Sequence, residues 1–122
     1  MKKNIKFFIL CLTFSLSIFS QNLNEKKVLI MWGGWEGHQP ELFVEQVKNW
    51  LENEDIDYVV SNDLNDYANF EFLSKFNLII QSVTMSQLTN EQEFGLLKAI
   101  SGGIGIAGAH GGLAAVSYTH LR

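Results

Sequence analysis

Cysteine is nearly absent from this 122-residue chain, and its one occurrence is Cys11. That residue lies in an N-terminal stretch with the order of a secretory signal peptide: three lysines in residues 1–6, a mostly apolar run at 7–19, and the small Ser20 before polar Gln21. We expect cleavage after Ser20. The mature chain then has no cysteine, which excludes a disulfide, a thiolate metal ligand and a cysteine nucleophile.

The apolar run at 7–19 is too short for a membrane anchor. A bilayer span needs ~20 apolar residues, so we expect a cleaved signal and no stable membrane span. A lipoprotein is also disfavoured, because Cys11 follows the bulky Leu10, where lipidation needs a small residue. Residues 1–20 are therefore predicted to direct export, periplasmic or secreted, and residues 21–26 to form a short lead-in.

Basic residues are few once the signal peptide is removed. Six lysines and arginines then face thirteen aspartates and glutamates, which gives a formal net charge of −7. An acidic surface repels phosphate backbones, so we do not expect a nucleic-acid partner. The same charge also suits an exported protein that only has to stay soluble.

Four short apolar runs alternate with helical patterns along the rest of the chain. Continuous apolar runs are typical of strands that are covered on both faces, as parallel strands are. The predicted strands are 27–32, 58–60, 78–80 and 104–109. Their alternation with helices predicts an α/β fold, in which helices cover both faces of a parallel sheet.

Capping residues and helical spacing predict the helices between these strands. The predicted helices are 40–53, 70–75 and 89–100. Pro40 suits a first helical position, since its missing N–H would have no partner there. Thr89 and Gln92 form a capping box that opens the last helix. The apolar sides are expected at Phe43, Val47, Trp50 and Leu51 in the first helix and at Phe94, Leu97, Ala99 and Ile100 in the last.

The sequence Gly108-Ala109-His110-Gly111-Gly112, which we call the elbow, places a histidine where the fourth strand runs into a helix. The G-x-S-x-G elbow has the same layout, and its strained turn lifts the central side chain above the sheet. Ligands bind beyond the carboxyl ends of parallel strands, where this turn lies. His110 is therefore a catalytic candidate, as general base, metal ligand or hydrogen-bond donor. The alternative is a histidine that only closes a turn.

A second histidine-bearing loop, residues 33–38, follows the first strand and lies at the same edge of the sheet. Its tryptophan and carboxylate suit a sugar ring, which binds an aromatic face and a few polar groups. The substrate-binding candidates are Gly34, Trp35, Glu36 and, from the elbow, Gly111. His38 is a second catalytic candidate, although a helix cap or a merely exposed residue is an alternative. We expect Trp35 near solvent and Trp32 in the core.

The two histidines also suit a metal site. If only the third strand separates the first from the fourth, their carboxyl ends lie about 10 Å apart, and His38 and His110 can converge. Zinc is bound by three or four protein ligands in most sites, and Glu36 is a candidate third. A divalent metal such as zinc is therefore one alternative for this site, next to metal-free acid–base chemistry.

Three segments resemble one known family: VLIMWGGWEGHQP, LIIQSVTMSQLTNEQ and GGIGIAGAHGG. They look like the ThuA-like family (trehalose-utilisation type), within the class I glutamine amidotransferase-like fold. The resemblance covers about residues 27–113 and implies a flavodoxin-like sheet, a role in handling disaccharides or related sugars, and family histidines at His110 and His38. Glutamine amidotransferases have cysteine where this chain has His110, so ammonia release from glutamine is not expected.

Residues 114–122 depart from this resemblance. Relatives continue into a helix with acidic and aromatic residues and then into further strands, whereas this segment resembles translated sequencing-adapter read-through. We interpret 114–122 as a non-native tail and assign no role to Tyr118, His120 or Arg122. Residues 27–113 are then about the first half of a ThuA-like domain.

Three functional hypotheses remain. The first is an exported enzyme that acts on a disaccharide or its derivative, hydrolase-like or metal-assisted, with His110 and His38 as catalytic residues. The second is a non-catalytic sugar-binding module, which predicts affinity for sugar but no product. The third is a truncated fragment without function, which a cooperative thermal transition would argue against.

Overall fold

Four parallel strands form a sheet in the part of the chain that the computed structural model describes, residues 25–108 and 111–114. The strands are β1 (Lys27–Gly34), β2 (Asp57–Ser61), β3 (Leu78–Thr84) and β4 (Gly105–Gly108). The helices of these residues are α1 (Pro40–Asn53), α2 (Phe70–Leu73), α3 (Asn90–Ser101) and α4 (Gly111–Ala114), with 3-10 turns at Glu36–His38 and Leu64–Ala68.

The strand order is β2-β1-β3-β4, which is the flavodoxin-like order. Because all the strands run the same way, their carboxyl ends lie along one edge of the sheet, which we call the carboxyl edge. The opposite edge is the amino edge. The predicted α/β fold is confirmed, and β3 alone separates β1 from β4.

Helices cover both faces of the sheet, as predicted. Alternate residues of β1 point to opposite faces, so Leu29 and Met31 enter one core while Val28 and Ile30 enter the other. The α3-side core consists of Leu29, Met31, Tyr67, Leu73, Phe76, Ile79, Val83, Leu88, Leu96 and Ala99. The α1-side core consists of Val28, Ile30, Val44, Leu51, Ile56 and Ile80. The sheet is thus the middle layer of three.

Two strands, β1 and β3, continue two or more residues beyond their predicted carboxyl ends. β1 continues through Gly33 and Gly34, which pair with Val83 and Thr84 of β3 instead of forming a loop. β3 continues through Thr84, although the predicted strand ends at residue 80. The prediction stopped where the residues become polar, but these polar residues are buried because the chain covers them from both sides.

The helices begin and end close to the predicted positions, and half of the apolar face predicted for α3 is confirmed, since Ala99 is buried and Ile100 packs against the core. The Thr89–Gln92 capping box is present, with both of its hydrogen bonds. Phe94 and Leu97, expected on the buried side of α3, are 70% and 48% exposed. The buried side instead contains Gly95, where a Cβ would lie 2.1 Å from the carbonyl oxygen of Tyr67.

α3 therefore turns its smallest residue toward the Leu64–Ala68 turn. The close approach fixes the rotation of the helix, which buries Leu96 and leaves Phe94 and Leu97 outside. On α1, Leu51 is buried and Phe43 and Val47 pack against the core, whereas Trp50 is 51% exposed.

The predicted signal peptide lies outside the described residues, as do Ala109, His110 and residues 115–122. Within the described part of the chain, no helix is long and apolar enough to cross a bilayer.

Candidate functional site

The loop after β1 is tied to the end of β3. Gly34 has a φ of +90°, and a Cβ there would lie 1.7 Å from the carbonyl oxygen of Thr84. The next N–H, that of Trp35, donates to the carbonyl oxygen (3.3 Å) and to Oγ1 (3.1 Å) of Thr84. Only glycine fits the close approach, so this residue type fixes where the loop starts.

Trp35 and His38 form an aromatic pair on the outside of this loop. Trp35 is 54% exposed, as expected. The two rings meet edge to face, with centroids 4.8 Å apart and planes at 71°. A Cβ on Gly37 would lie 2.4 Å from the indole ring, so this glycine makes room for the pair. The 3-10 turn thereby holds the exposed imidazole in a defined place.

His38 lies beside the elbow. A Cβ placed on Gly111 would be 3.7 Å from Cε1 of His38, which is van der Waals contact. The structure thus brings the loop after β1 to the residue that directly follows His110, while His110 itself lies outside the described residues. His38 is not the N-cap of α1, because Gln39 occupies that position in a left-handed conformation (φ 49°, ψ 53°).

A cleft of about 670 Å³ opens along the same loop. Its described lining residues are Trp32, Gly33, Gly34, Glu36, Gln39, Pro40, Glu41 and Leu42. Two predicted binding residues, Gly34 and Glu36, are among them, but Trp35 and Gly111 are not. Trp32, expected in the core, packs against the α1-side core and also lines the cleft. The loop therefore contributes to both the cleft and the aromatic pair, through different residues.

The described walls of the cleft have acidic groups and no basic ones. A neighbouring cavity of about 400 Å³ shares Trp32 and Glu41 and includes Lys48. The ammonium group of Lys48 lies 3.2 Å from Glu45, and this hydrogen bond raises the pKa of Lys48. Carboxylates accept strong hydrogen bonds from hydroxyl groups, so the cleft suits a ligand rich in hydroxyls.

The sequence matches a protein-family model, described as trehalose utilisation (ThuA), over residues 27–121. The chain belongs to the ThuA family. The match includes both histidine-bearing loops and confirms the resemblance. No curated protein and no solved structure matches the chain significantly. The match reaches residue 121, while the interpretation of residues 114–122 as a non-native tail stays a prediction.

A metal centre in this ThuA-family chain would need a ligand beyond the described residues, and His110 is the predicted one. Within residues 25–108 and 111–114, no three histidine, cysteine, aspartate or glutamate side chains come together in a way that could hold a metal ion. Glu36 and His38 belong to the same short turn, and they make only two ligands. The described residues alone therefore do not fit zinc, and the chemistry proposed below does not use a metal.

Sequence reasoning missed a buried amide beneath the elbow. Gln81 of β3 is 1% exposed, accepts a hydrogen bond from the hydroxyl of Tyr67 and donates one to the carbonyl oxygen of Gly112 at 2.8 Å. Burial also raises the pKa of Tyr67 well above its ordinary value near 10. One signal was available in the ThuA-like segment LIIQSV, where a polar residue interrupts an apolar strand.

Proposed function

We propose that this ThuA-family chain acts on a carbohydrate, a disaccharide or its derivative, as an enzyme whose site lies at the carboxyl edge between the loop after β1 and the elbow. One observation carries the proposal: Cε1 of His38 is 3.7 Å from the Cβ position of Gly111. A histidine loop and the residue after a second histidine thus meet where parallel sheets bind their ligands.

The cleft supports the carbohydrate part of the proposal. Trp32 offers an aromatic face to a sugar ring, and the carboxylates of Glu36 and Glu41 accept hydrogen bonds from its hydroxyls. The volume of about 670 Å³ is within the range of small-molecule sites, about 300–1,000 Å³. In this arrangement Trp35 contacts the sugar from the rim of the loop.

The histidines supply the chemistry in this proposal. His110 takes a proton as general base, and His38 acts as its partner from the neighbouring loop. An imidazole suits the task because its ordinary pKa lies near neutral pH, so it can both take and return a proton. Covalent catalysis by a thiol is excluded in the mature chain, which has no cysteine after the expected cleavage.

The enzyme hypothesis is tested by turnover of a panel of disaccharides and their oxidised derivatives by the full chain. We expect His110→Ala and His38→Ala to lower kcat by about 10²–10⁴-fold, the usual contribution of acid–base catalysis. His120→Ala is the matched control, since the third histidine has no assigned role. Turnover that is the same in all three variants would defeat the catalytic proposal.

A non-catalytic sugar-binding module is the second candidate function. Its support is that the described lining of the cleft does not include His38 or Gly111. Calorimetry with the same disaccharides separates the two functions: affinity that Trp32→Ala abolishes, without any product, favours the module. Product formation favours the enzyme.

We infer from the N-terminal sequence that the chain works outside the cytoplasm. Its lysine-rich start, apolar run and Ser20 support cleavage by a signal peptidase. N-terminal sequencing of the protein recovered from the periplasm or the medium is expected to begin at Gln21. An intact Met1 in a cytoplasmic fraction would contradict export.

A further inference from the structure

A polar side chain occupies a core position in the middle of β3. Gln81 has the same orientation as Ile79 and Val83, two residues before and after it, and both of these belong to the α3-side core. An amide costs free energy when it is buried without hydrogen-bond partners. The hydrogen-bond partners of Gln81 therefore indicate the role of a polar residue at this position.

Both ends of this amide are used. Oε1 accepts from the hydroxyl of the fully buried Tyr67, and Nε2 donates to the carbonyl oxygen of Gly112 at 2.8 Å. The second bond joins residues that are 31 positions apart. Gln81 therefore connects the Leu64–Ala68 turn on one side with the elbow on the other.

The elbow also packs directly against the backbone of Gln81 and Ser82. A Cβ on Gly108 would lie 2.6 Å from the carbonyl oxygen of Gln81, and one on Gly112 would lie 3.0 Å from Cα of Ser82. The described residues on both sides of His110 are thus packed directly on this part of β3. A side chain at position 108 would push the elbow away from the strand, and one at position 112 would crowd Ser82.

Tyr67, which bonds to Gln81, belongs to a turn that is itself stabilised by side-chain hydrogen bonds. Within the Leu64–Ala68 turn, Ser61 Oγ donates to Asp66 at 2.6 Å, and Gln92 Nε2 donates to Asn65 at 3.1 Å. The Leu64–Ala68 turn is therefore tied both to β2 and to the start of α3, and it cannot move without breaking these contacts.

We propose that Gln81 is a positioning residue for the elbow: its amide holds the Gly112 carbonyl, and so fixes the backbone that directly follows His110. The proposal deepens the proposed function and rests on it for its catalytic consequence. Misplacing a catalytic group by 1 Å can cost about a hundredfold in rate, so a tether on this backbone has a measurable effect.

The test compares Gln81→Met with Tyr58→Phe in the full chain by NMR. Gln81→Met keeps the approximate volume but removes both hydrogen bonds, whereas Tyr58→Phe removes one exposed hydrogen bond, to Glu52 of α1, that has no part in the Tyr67–Gln81–Gly112 contacts. We expect the Cε1–H peak of His38 and the amide peaks of Gly111 and Gly112 to move or broaden in Gln81→Met only. In the turnover assay, kcat falls about ten- to a hundredfold in this variant, with little change in KM.

Wild-type peak positions in a folded Gln81→Met protein would overturn the proposal. If that variant does not fold, the wild-type protein decides: cross-relaxation between the side-chain NH₂ of Gln81 and the Leu113 amide supports the tether, and its absence overturns it. The NMR comparison needs no substrate. Loss of the proposed function, seen as unchanged turnover in His110→Ala and His38→Ala, is therefore distinguishable from failure of the tether.

Discussion

At the amino edge of the sheet one residue joins the ends of three strands, whereas at the carboxyl edge the end of β1 opens onto a cleft. At the amino edge, Asn77 forms the hydrogen bonds that join the strand ends. Its side chain accepts from the Lys27 N–H (2.9 Å), its N–H donates to the Lys27 carbonyl (2.8 Å), and its carbonyl accepts from Gly105 (2.9 Å). One residue thus closes β1, β3 and β4 together.

The carboxyl edge has unusual backbone and exposed apolar groups instead. Gly34 and Gln39 have positive φ, and so does Met85, which is 76% exposed directly after β3. Trp35 is half exposed next to the cleft. Strain at Gln39 and Met85 and exposed apolar surface at Trp35 and Met85 both cost stability, and these residues lie at the edge where ligands bind in this kind of sheet. The amino edge therefore contributes stability, and the carboxyl edge is where the proposed ligand would bind.

The largest expected effect comes from adding a methyl group at each edge. Gly34→Ala is expected to lower the free energy of unfolding by at least about 3 kcal/mol, because its Cβ would overlap the carbonyl of Thr84. Gly103→Ala at the amino edge has a similar φ of +104° but open space around the new Cβ, so only the conformational cost of about 1–2 kcal/mol remains. Urea unfolding measures both, and equal losses would contradict the importance of the Gly34–Thr84 approach.

The next largest difference in unfolding free energy is expected between two tyrosine-to-phenylalanine variants. Tyr67→Phe leaves the Oε1 of Gln81 buried without its partner, which is expected to cost about 1–3 kcal/mol of unfolding free energy. Tyr58→Phe removes an exposed hydrogen bond to Glu52 at the amino edge and is expected to stay within about 0.5 kcal/mol. A Tyr67→Phe protein as stable as the wild type would show that water replaces the missing partner.

Alkaline pH is expected to weaken the fold through the same tyrosine. Burial raises the pKa of Tyr67 above its ordinary value near 10, so the folded chain keeps a proton that the unfolded chain loses. The stabilisation is complete below pH 10 and is lost as pH rises toward the folded pKa, by up to about 1.4 kcal/mol per pH unit. Urea unfolding between pH 8 and pH 11 measures this decline, which should be shallower in Tyr67→Phe.

The smallest effect concerns two exposed tryptophans. Trp35→Ala removes the edge-to-face contact with His38 and is expected to cost about 0.5–1 kcal/mol of unfolding free energy. Trp50→Ala, also half exposed but on α1, is the matched control. If Trp35 contacts the sugar, only its variant weakens disaccharide binding, by about threefold, in calorimetry. Equal weakening in both variants would remove Trp35 from the site.

Much of the fold was predictable because its signals are local. Apolar runs mark the strands, and Pro40 and the Thr89–Gln92 box mark helix starts within a few residues of sequence. Errors arose where distant contacts override local pattern. The polar end of β3 is buried only because other parts of the chain cover it, and Gly95 sets the rotation of α3 only because Tyr67 lies beneath it.

The same division applies to the candidate site. The loop with His38 was predictable because glycines and aromatic residues follow directly on an apolar strand. The Gln81–Gly112 bond was not, since nothing in either local sequence indicates a partner 31 residues away. Glu41, as part of the cleft, depends on how α1 packs against β1, which no sequence pattern specifies.

The central position of β3 has a consequence for how the site forms. Thr84 anchors the loop after β1, and Gln81 anchors the elbow. Both parts of the proposed site therefore depend on β3, which lies between them in the sequence. Parallel pairings between distant segments form slowly during folding. The site is therefore expected to be among the last features to form as the chain folds, and short peptides copied from either loop would not reproduce it.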